Sequence, residues 1–176
     1  MKTRDMTQTA LMAAVLCVAG PLTVAIGPVP LSLATFAVYL AALVLGPRWG
    51  TAAVAVYLLL GMAGVPVFSG FSGGLQKLAG VTGGYIVGYL PCAWLSGLGR
   101  SAETDFRKAW RREMLWAAAG TLVLYVLGTA WFMIQSGNGL GASLSLCVLP
   151  FLPGDAVKIL AAAFLSCQIR KALQKK

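Results

Sequence analysis

The chain has 176 residues, 59% of them hydrophobic and only 11% charged, with a mean hydropathy of +0.81. A water-soluble domain carries about 25% charged residues, so this composition excludes an ordinary soluble globule and makes lipid the main solvent. The formal charge of +9 does not indicate a nucleic-acid partner, because the basic residues sit in short clusters between long apolar runs instead of along one face.

A spanning helix needs about 20 mostly apolar residues, and six candidates follow one another along the chain. The first, 6–26, comes after Lys2 and Arg4 and has the outline of a signal peptide. Further apolar spans follow it at once in place of a polar mature domain, so it is read as the first helix of a bundle. Gly27-Pro28-Val29-Pro30 separates it from 31–46, and the turn Gly46-Pro47-Arg48-Trp49-Gly50 leads into 50–66. Both of these spans are short, a mismatch that tilt absorbs. A loop punctuated by Gly70, Gly73 and Gly74 precedes 79–99, and residues 100–113 form the strongly charged connection to 114–135. Gly137-Asn138-Gly139 and Gly141 open the loop before the last span, 151–169. The expected fold class is an all-α integral membrane bundle of six transmembrane helices, a single domain over 1–176.

Orientation follows from Lys and Arg. Lys2, Arg4, Arg48, Arg100, Arg107, Lys108, Arg111, Arg112, Arg170, Lys171, Lys175 and Lys176 all fall on one side if the spans number six. Both termini are then cytoplasmic, and five or seven spans break the pattern. Within 100–113 the stretch Glu103 to Glu113 puts Phe106 and Trp110 four residues apart, hence on one helical face, with basic residues around them. Such a segment serves either as an interfacial anchor on anionic headgroups or as a docking surface for a cytoplasmic partner.

Asp5, Glu103, Asp105 and Glu113 are expected on the same cytoplasmic side, which leaves three charges, Lys77, Asp155 and Lys158, all mapping to the outer half. Asp155 and Lys158, at the start of the sixth span, are spaced i, i+3 and project from one helical face. Charge inside the apolar region is costly and marks ligand or ion paths; the pair either neutralises itself or offers a guest an acceptor and a cation together. Lys77 is either the rim of such a pocket or a lysine snorkelling to the interface. The glycine-rich stretch Gly61 to Gly88 permits close helix approach, and Gly83-Gly84-Tyr85 within it brings main chain and an aromatic either against a ligand or against a neighbouring helix. Ala10 and Ala14 form a small-xxx-small face on the first span.

Enzymatic readings lack residues. The chain has no His, its Cys17, Cys92, Cys147 and Cys167 form no CxxC, and nothing reads GxxxxGK[ST]. Zinc sites, Cys–His pairs and the commonest general base are thus unsupported, and so is nucleotide hydrolysis by this chain. No metal or cofactor is expected. A small intramembrane enzyme needs more acids at membrane depth than Asp155 alone, and a structural subunit has no need of the Asp155/Lys158 pair.

Taken in order, Val29-Pro30-Leu31-Ser32-Leu33, Leu45-Gly46-Pro47-Arg48-Trp49-Gly50, Gly61-Met62-Ala63-Gly64-Val65-Pro66-Val67-Phe68, Gly73-Gly74, Thr82-Gly83-Gly84-Tyr85-Ile86-Val87-Gly88 and Pro153-Gly154-Asp155 with Lys158 resemble the signature of the BioY biotin transporters over nearly the whole chain. The resemblance implies a substrate-binding S component of an energy-coupling factor transporter in the cell membrane, with six helices and biotin bound near the outer side. It also implies a transmembrane T component and two ATP-binding subunits as partners, with Ala10 and Ala14 as the face that meets the T component. Asp155 and Lys158 correspond to the family's acid and lysine. Asp155 is expected to accept from the ureido NH groups, while Lys158 either offsets the carboxylate of biotin or holds Asp155 ionised. Tyr85, Phe68 and the Gly83-Gly84 backbone are expected to wall the bicyclic ring. Two positions depart from the family pattern: Ala34 where a Gln is frequent, and Val81 where Pro is usual before Thr-Gly-Gly-Tyr. Another small vitamin or precursor is the alternative ligand.

Overall fold

The computed structural model describes residues 3–24, 29–101 and 105–174. Lys2, Glu103, Lys175, Lys176 and the Gly27-Pro28 turn lie outside the described residues. The described chain is mostly helical, with helices α1 (Thr3–Ala19), α2 (Ala34–Leu45), α3 (Pro47–Met62), α4 (Leu75–Ala79), α5 (Gly83–Leu98), α6 (Phe106–Ser136), α7 (Leu140–Cys147) and α8 (Leu152–Gln174). A two-stranded antiparallel ribbon joins α1 to α2: β1 (Thr23–Val24) pairs with β2 (Leu31–Ser32), Thr23 opposite Ser32.

The six expected spans each contain one long helix, with boundaries moved for local reasons. α1 stops at Ala19 because Gly20-Pro21 follows, and proline cannot supply the next helical N–H. Between α2 and α3 the expected five-residue turn shrinks to Gly46. Its φ of 86° suits a residue without a Cβ, and Pro47 starts α3 at the position where a missing N–H costs nothing. The Arg100 guanidinium donates to the Leu45 carbonyl at 2.7 Å, satisfying one of the orphan acceptors at the end of α2. The fourth span breaks at Gly80 into α4 and α5. α6 begins at Phe106 instead of 114, with the Asp105 carboxylate capping it by accepting from the Arg107 N–H at 3.0 Å. The expected loop before the sixth span is in part helical, as α7.

α2 is the centre of the bundle. Every residue from Ala37 to Leu45 is buried, and α1, α3, α5 and α8 all pack against it. At 12 residues it is about 18 Å long, well short of a hydrocarbon core of about 30 Å. Its neighbours shield it, so it has no lipid boundary to match. They turn large apolar side chains outward instead, among them Leu11 and Val18 on α1, Leu59 on α3, Leu122 and Val126 on α6, and Val157 on α8. By length and hydropathy, α6 and Leu152–Ala172 of α8 are long and apolar enough to cross a membrane.

The most extensive seam lies between α5 and α6, where small residues let the backbones approach. A Cβ on Gly120 would stand 2.7 Å from Ser96 Oγ and 2.8 Å from the Cys92 carbonyl, and one on Gly88 would stand 2.9 Å from Leu124 Cδ1. Gly120→Val therefore forces the helices apart and is expected to destabilise the protein by about 1–3 kcal/mol. Gly139→Val, at a position with nothing within 4 Å, should leave stability unchanged. Thermal unfolding of the detergent-purified variants distinguishes the two, and equal melting temperatures would refute the close-packed seam.

Candidate functional site

The buried acid singled out in the sequence sits one turn into α8. Asp155 is only 4% exposed, and its backbone N–H bonds to the Phe151 carbonyl at 2.8 Å. The carboxylate gathers donors from three helices. The Tyr125 hydroxyl, from the middle of α6, donates to Oδ2 at 2.7 Å. Lys158 Nζ, one turn further along α8, approaches Oδ1 at 3.0 Å. Thr35 Oγ1, at the start of α2, lies 3.3 Å from Oδ1.

Lys158 is committed on all sides. Besides Asp155, its ammonium donates to the Ser32 carbonyl at 2.7 Å and to Thr35 Oγ1 at 2.9 Å. An ammonium has three N–H bonds, and these three acceptors use them all. A carboxylate offers about four lone-pair sites. The partners of Asp155 leave capacity on Oδ2, so the acid can accept a further N–H where the cation has none to give.

Asp155 and Lys158 line a cavity with Val29, Pro30, Ser32 and Thr35 on one side, and with Tyr85, Tyr89, Leu124, Tyr125, Cys147 and Phe151 on the others. Tyr85 is fixed through its hydroxyl, which donates to the Cys147 carbonyl at 3.2 Å and lies 3.2 Å from Thr129 Oγ1. The wall is thus a ring of aromatic and apolar surface with one acidic end. The space is about 40 Å³, room for a water molecule or two, so a larger guest needs the wall to shift.

Of the residues singled out in the sequence, Asp155, Lys158 and Tyr85 meet at this cavity. Gly83 and Gly84 do not line it. A Cβ on Gly83 would collide with the Leu78 carbonyl and one on Gly84 with Trp131, and both glycines face a separate apolar groove with Leu75, Leu78, Val87 and Leu127. Phe68 is buried against Gly61 and stands edge-on to Tyr57 at 5.6 Å between ring centroids, outside the cavity wall. Lys77 lies half-buried on α4, also away from that wall. Ala10 and Ala14 are both exposed on α1.

Sequence reasoning missed Tyr125, Tyr89, Thr35, Ser32 and Phe151. One signal was present: Thr121, Tyr125 and Thr129 recur every four residues and make a polar stripe on an otherwise apolar helix. A second buried charge cluster was also missed. Glu113, taken for a cytoplasmic loop residue, is 0% exposed. It is ion-paired with Arg170 and hydrogen-bonded by Ser166, both on α8, and Arg170 also donates to the Ser101 carbonyl at 2.8 Å.

Comparison with known proteins points in one direction. Residues 1–175 match the BioY family. The chain is 38% identical over 166 residues to a probable biotin transporter BioY of Pyrococcus horikoshii, covering 94% of this chain and 96% of that one. It is 35% identical over 169 residues to the biotin transporter BioY of Thermotoga maritima, covering 96% of each. Its fold is similar to the crystal structure of the S-component for biotin from an ECF-type ABC transporter, with a TM-score of 0.83, 26% identity and coverage of 97% of this chain and 95% of that one.

The Glu113–Arg170 pair yields a stability prediction. Arg170→Leu strands a fully buried carboxylate and is expected to cost about 3–5 kcal/mol, whereas Glu113→Leu combined with Arg170→Leu costs less than Arg170→Leu alone. Denaturant titration in detergent reads both, and a double variant less stable than the Arg170 single would contradict the buried pairing.

Proposed function

The chain belongs to the BioY family, and we propose that it is the biotin-binding S component of an energy-coupling factor transporter, crossing the cell membrane six times with both termini cytoplasmic. It is a transport protein, not an enzyme. The observation that carries the ligand assignment is a buried carboxylate with spare acceptor capacity at the end of a tyrosine-walled cavity. Biotin has a cyclic urea with two N–H donors, an apolar thioether ring and a tail ending in a carboxylate. Asp155 accepts from the ureido N–H groups, a charge-assisted bond that is strong where water is excluded. Tyr85, Tyr89 and Tyr125 pack against the bicyclic ring.

The geometry favours one of the two roles open to Lys158. With its three N–H bonds engaged by Ser32, Thr35 and Asp155, it pairs with the Asp155 carboxylate and positions it; meeting the biotin carboxylate would require breaking one of those bonds. The six-span reading draws support from one helix of 12 residues or more in each expected span, from the outward apolar faces and from the one-sided distribution of basic residues. The chain carries no nucleotide-binding loop, so the energy of transport comes from a T component and two ATP-binding subunits. The exposed small-residue face of Ala10 and Ala14 on α1 is the surface proposed to receive the T component.

Isothermal titration of ligand-stripped protein tests the assignment. Biotin is expected to bind, desthiobiotin to compete because it keeps the cyclic urea, and riboflavin and thiamine not to compete. Asp155→Ala is expected to weaken biotin binding by about 1–3 kcal/mol or more, the cost of losing a charged hydrogen-bond partner, and Tyr125→Phe by less. Unchanged affinity in Asp155→Ala removes Asp155 from the site. Absence of biotin binding with tight binding of another vitamin replaces the ligand.

A further inference from the structure

α6 has 31 residues and is about 46 Å long, some 16 Å more than the hydrocarbon it crosses. The surplus is at its amino-terminal end, where Arg107, Lys108, Arg111 and Arg112 are all exposed. Arg107 and Arg111 are one turn apart, as are Lys108 and Arg112, so the four form a two-by-two patch on the side of the helix away from buried Ala109, Glu113 and Ala117. Neither ion pair among the described residues involves any of them; Arg112 reaches the Leu98 carbonyl at 3.5 Å. The Asp105 carboxylate is taken up by the helix cap.

The same face continues into apolar surface. Leu115 is one turn beyond Arg111, and Leu122 and Val126 follow on that side; they are 72%, 65% and 65% exposed. Beside the patch, Lys171 of α8 lies over the Phe106 ring at 5.1 Å, and Phe106 meets the half-exposed Phe164 edge-on at 6.0 Å between centroids. Reading along α6, unpaired cations give way within one turn to exposed aliphatic side chains. We infer that this face binds anionic phospholipid, with phosphate held by Arg107, Lys108, Arg111 and Arg112 and acyl chains lying along Leu115, Leu122 and Val126. The continuity of charge into apolar surface favours lipid over a soluble acidic protein, which has no use for the aliphatic part of the stripe. The inference rests on α6 crossing the membrane as proposed above, and not on the identity of the vitamin.

The delipidated full chain in detergent is titrated with phosphatidylglycerol or with phosphatidylcholine of the same acyl chains, and bound lipid is counted by native mass spectrometry. Both lipids reach either end of the protein in detergent, so the result does not depend on its orientation, and biotin binding measured on the same samples reports the vitamin assignment separately. At low salt the protein is expected to retain phosphatidylglycerol at least about fivefold better, the scale of one basic residue near an anionic surface. R107Q/K108Q/R111Q/R112Q should bring it to the level of phosphatidylcholine, while Lys77→Gln leaves the preference intact. If the quadruple variant does not fold, the unaltered chain decides, since its preference should shrink as salt rises from low to about 0.5 M through screening. Equal retention of the two lipids, a preference surviving in the folded quadruple variant, or one insensitive to salt overturns the inference. So does lipid indifference together with loss of T-component co-purification in the quadruple variant, which would make the patch a protein-docking surface.

Discussion

A carboxylate and an ammonium withdrawn from water into the apolar end of a helical bundle persist only when every proton and most lone pairs find partners, and this requirement organises the end of the bundle that holds Asp155 and Lys158. Lys158 meets it by reaching off its own helix to the Ser32 carbonyl and Thr35, which fixes α8 against the β2–α2 junction. Asp155 meets it by drawing in Tyr125, which fixes α8 against α6. One ion pair therefore sets the relative positions of three helices. The cavity wall follows from those positions, because Tyr125, Thr35 and Ser32 are at once the partners of the charges and parts of the lining. Binding site and fold share the same bonds.

The rest of the bundle supplies the dry surroundings that give those bonds their strength. α2 is enclosed by four neighbours and presents Thr35 from its first turn, so the polar end of an otherwise apolar helix meets the acid. The glycine seam between α5 and α6 draws together the helices that carry Tyr85, Tyr89 and Tyr125. Gly128 is part of this arrangement, since the Tyr85 ring occupies the space a side chain there would fill. Gly84 serves the same packing against Trp131 of α6, and Gly83 admits the Leu78 carbonyl of α4. Their part in the glycine-rich motif is thereby accounted for by helix approach, independently of any contact with a guest.

Much of this was legible in the sequence, for identifiable reasons. Hydropathy located a long helix in each of six segments because lipid-facing helices must be apolar over most of their length, and i, i+3 spacing placed Asp155 and Lys158 on one face because helix geometry alone determines that. The positions of Gly83, Gly84, Phe68 and Lys77 were not legible. Proximity in sequence to Tyr85 does not decide which side of a helix faces a cavity, and a glycine that admits a neighbouring backbone looks the same as one that admits a ligand. Tyr125 was hidden because a tyrosine in an apolar span is unremarkable until its partner, 30 residues away, is known to be an acid. Glu113 and Arg170 were hidden by a boundary. The expected spans began at 114 and ended at 169, one residue short of each, so two residues that bury each other were counted as loop charges. Hydropathy ends a span where charge begins, but α6 and α8 continue as helix through their charged ends.

The two buried pairs, read together, separate a site from a strut. Both contain one acid and one base, and both tie α6 to α8, Glu113–Arg170 directly and Asp155–Lys158 through Tyr125. At the end near the chain termini, Glu113 has both oxygens occupied, Oε1 by Arg170 and Oε2 by Ser166 with Cys167 nearby, and it does not line the cavity. At the other end the lysine is saturated, but the acid keeps acceptor capacity and faces open volume. A buried ion pair alone is therefore weak evidence for ligand binding, since the described residues contain two and their chemistry differs little. What distinguishes them is the arithmetic of donors and acceptors. A pair whose acid has both oxygens taken clamps helices, whereas one that leaves a buried acceptor unfilled is stabilised further by a guest that brings the missing N–H. On that criterion Asp155 is the residue suited to accept from a guest, Lys158 the residue that positions it, and Glu113–Arg170 the clamp that holds the opposite ends of the same two helices together.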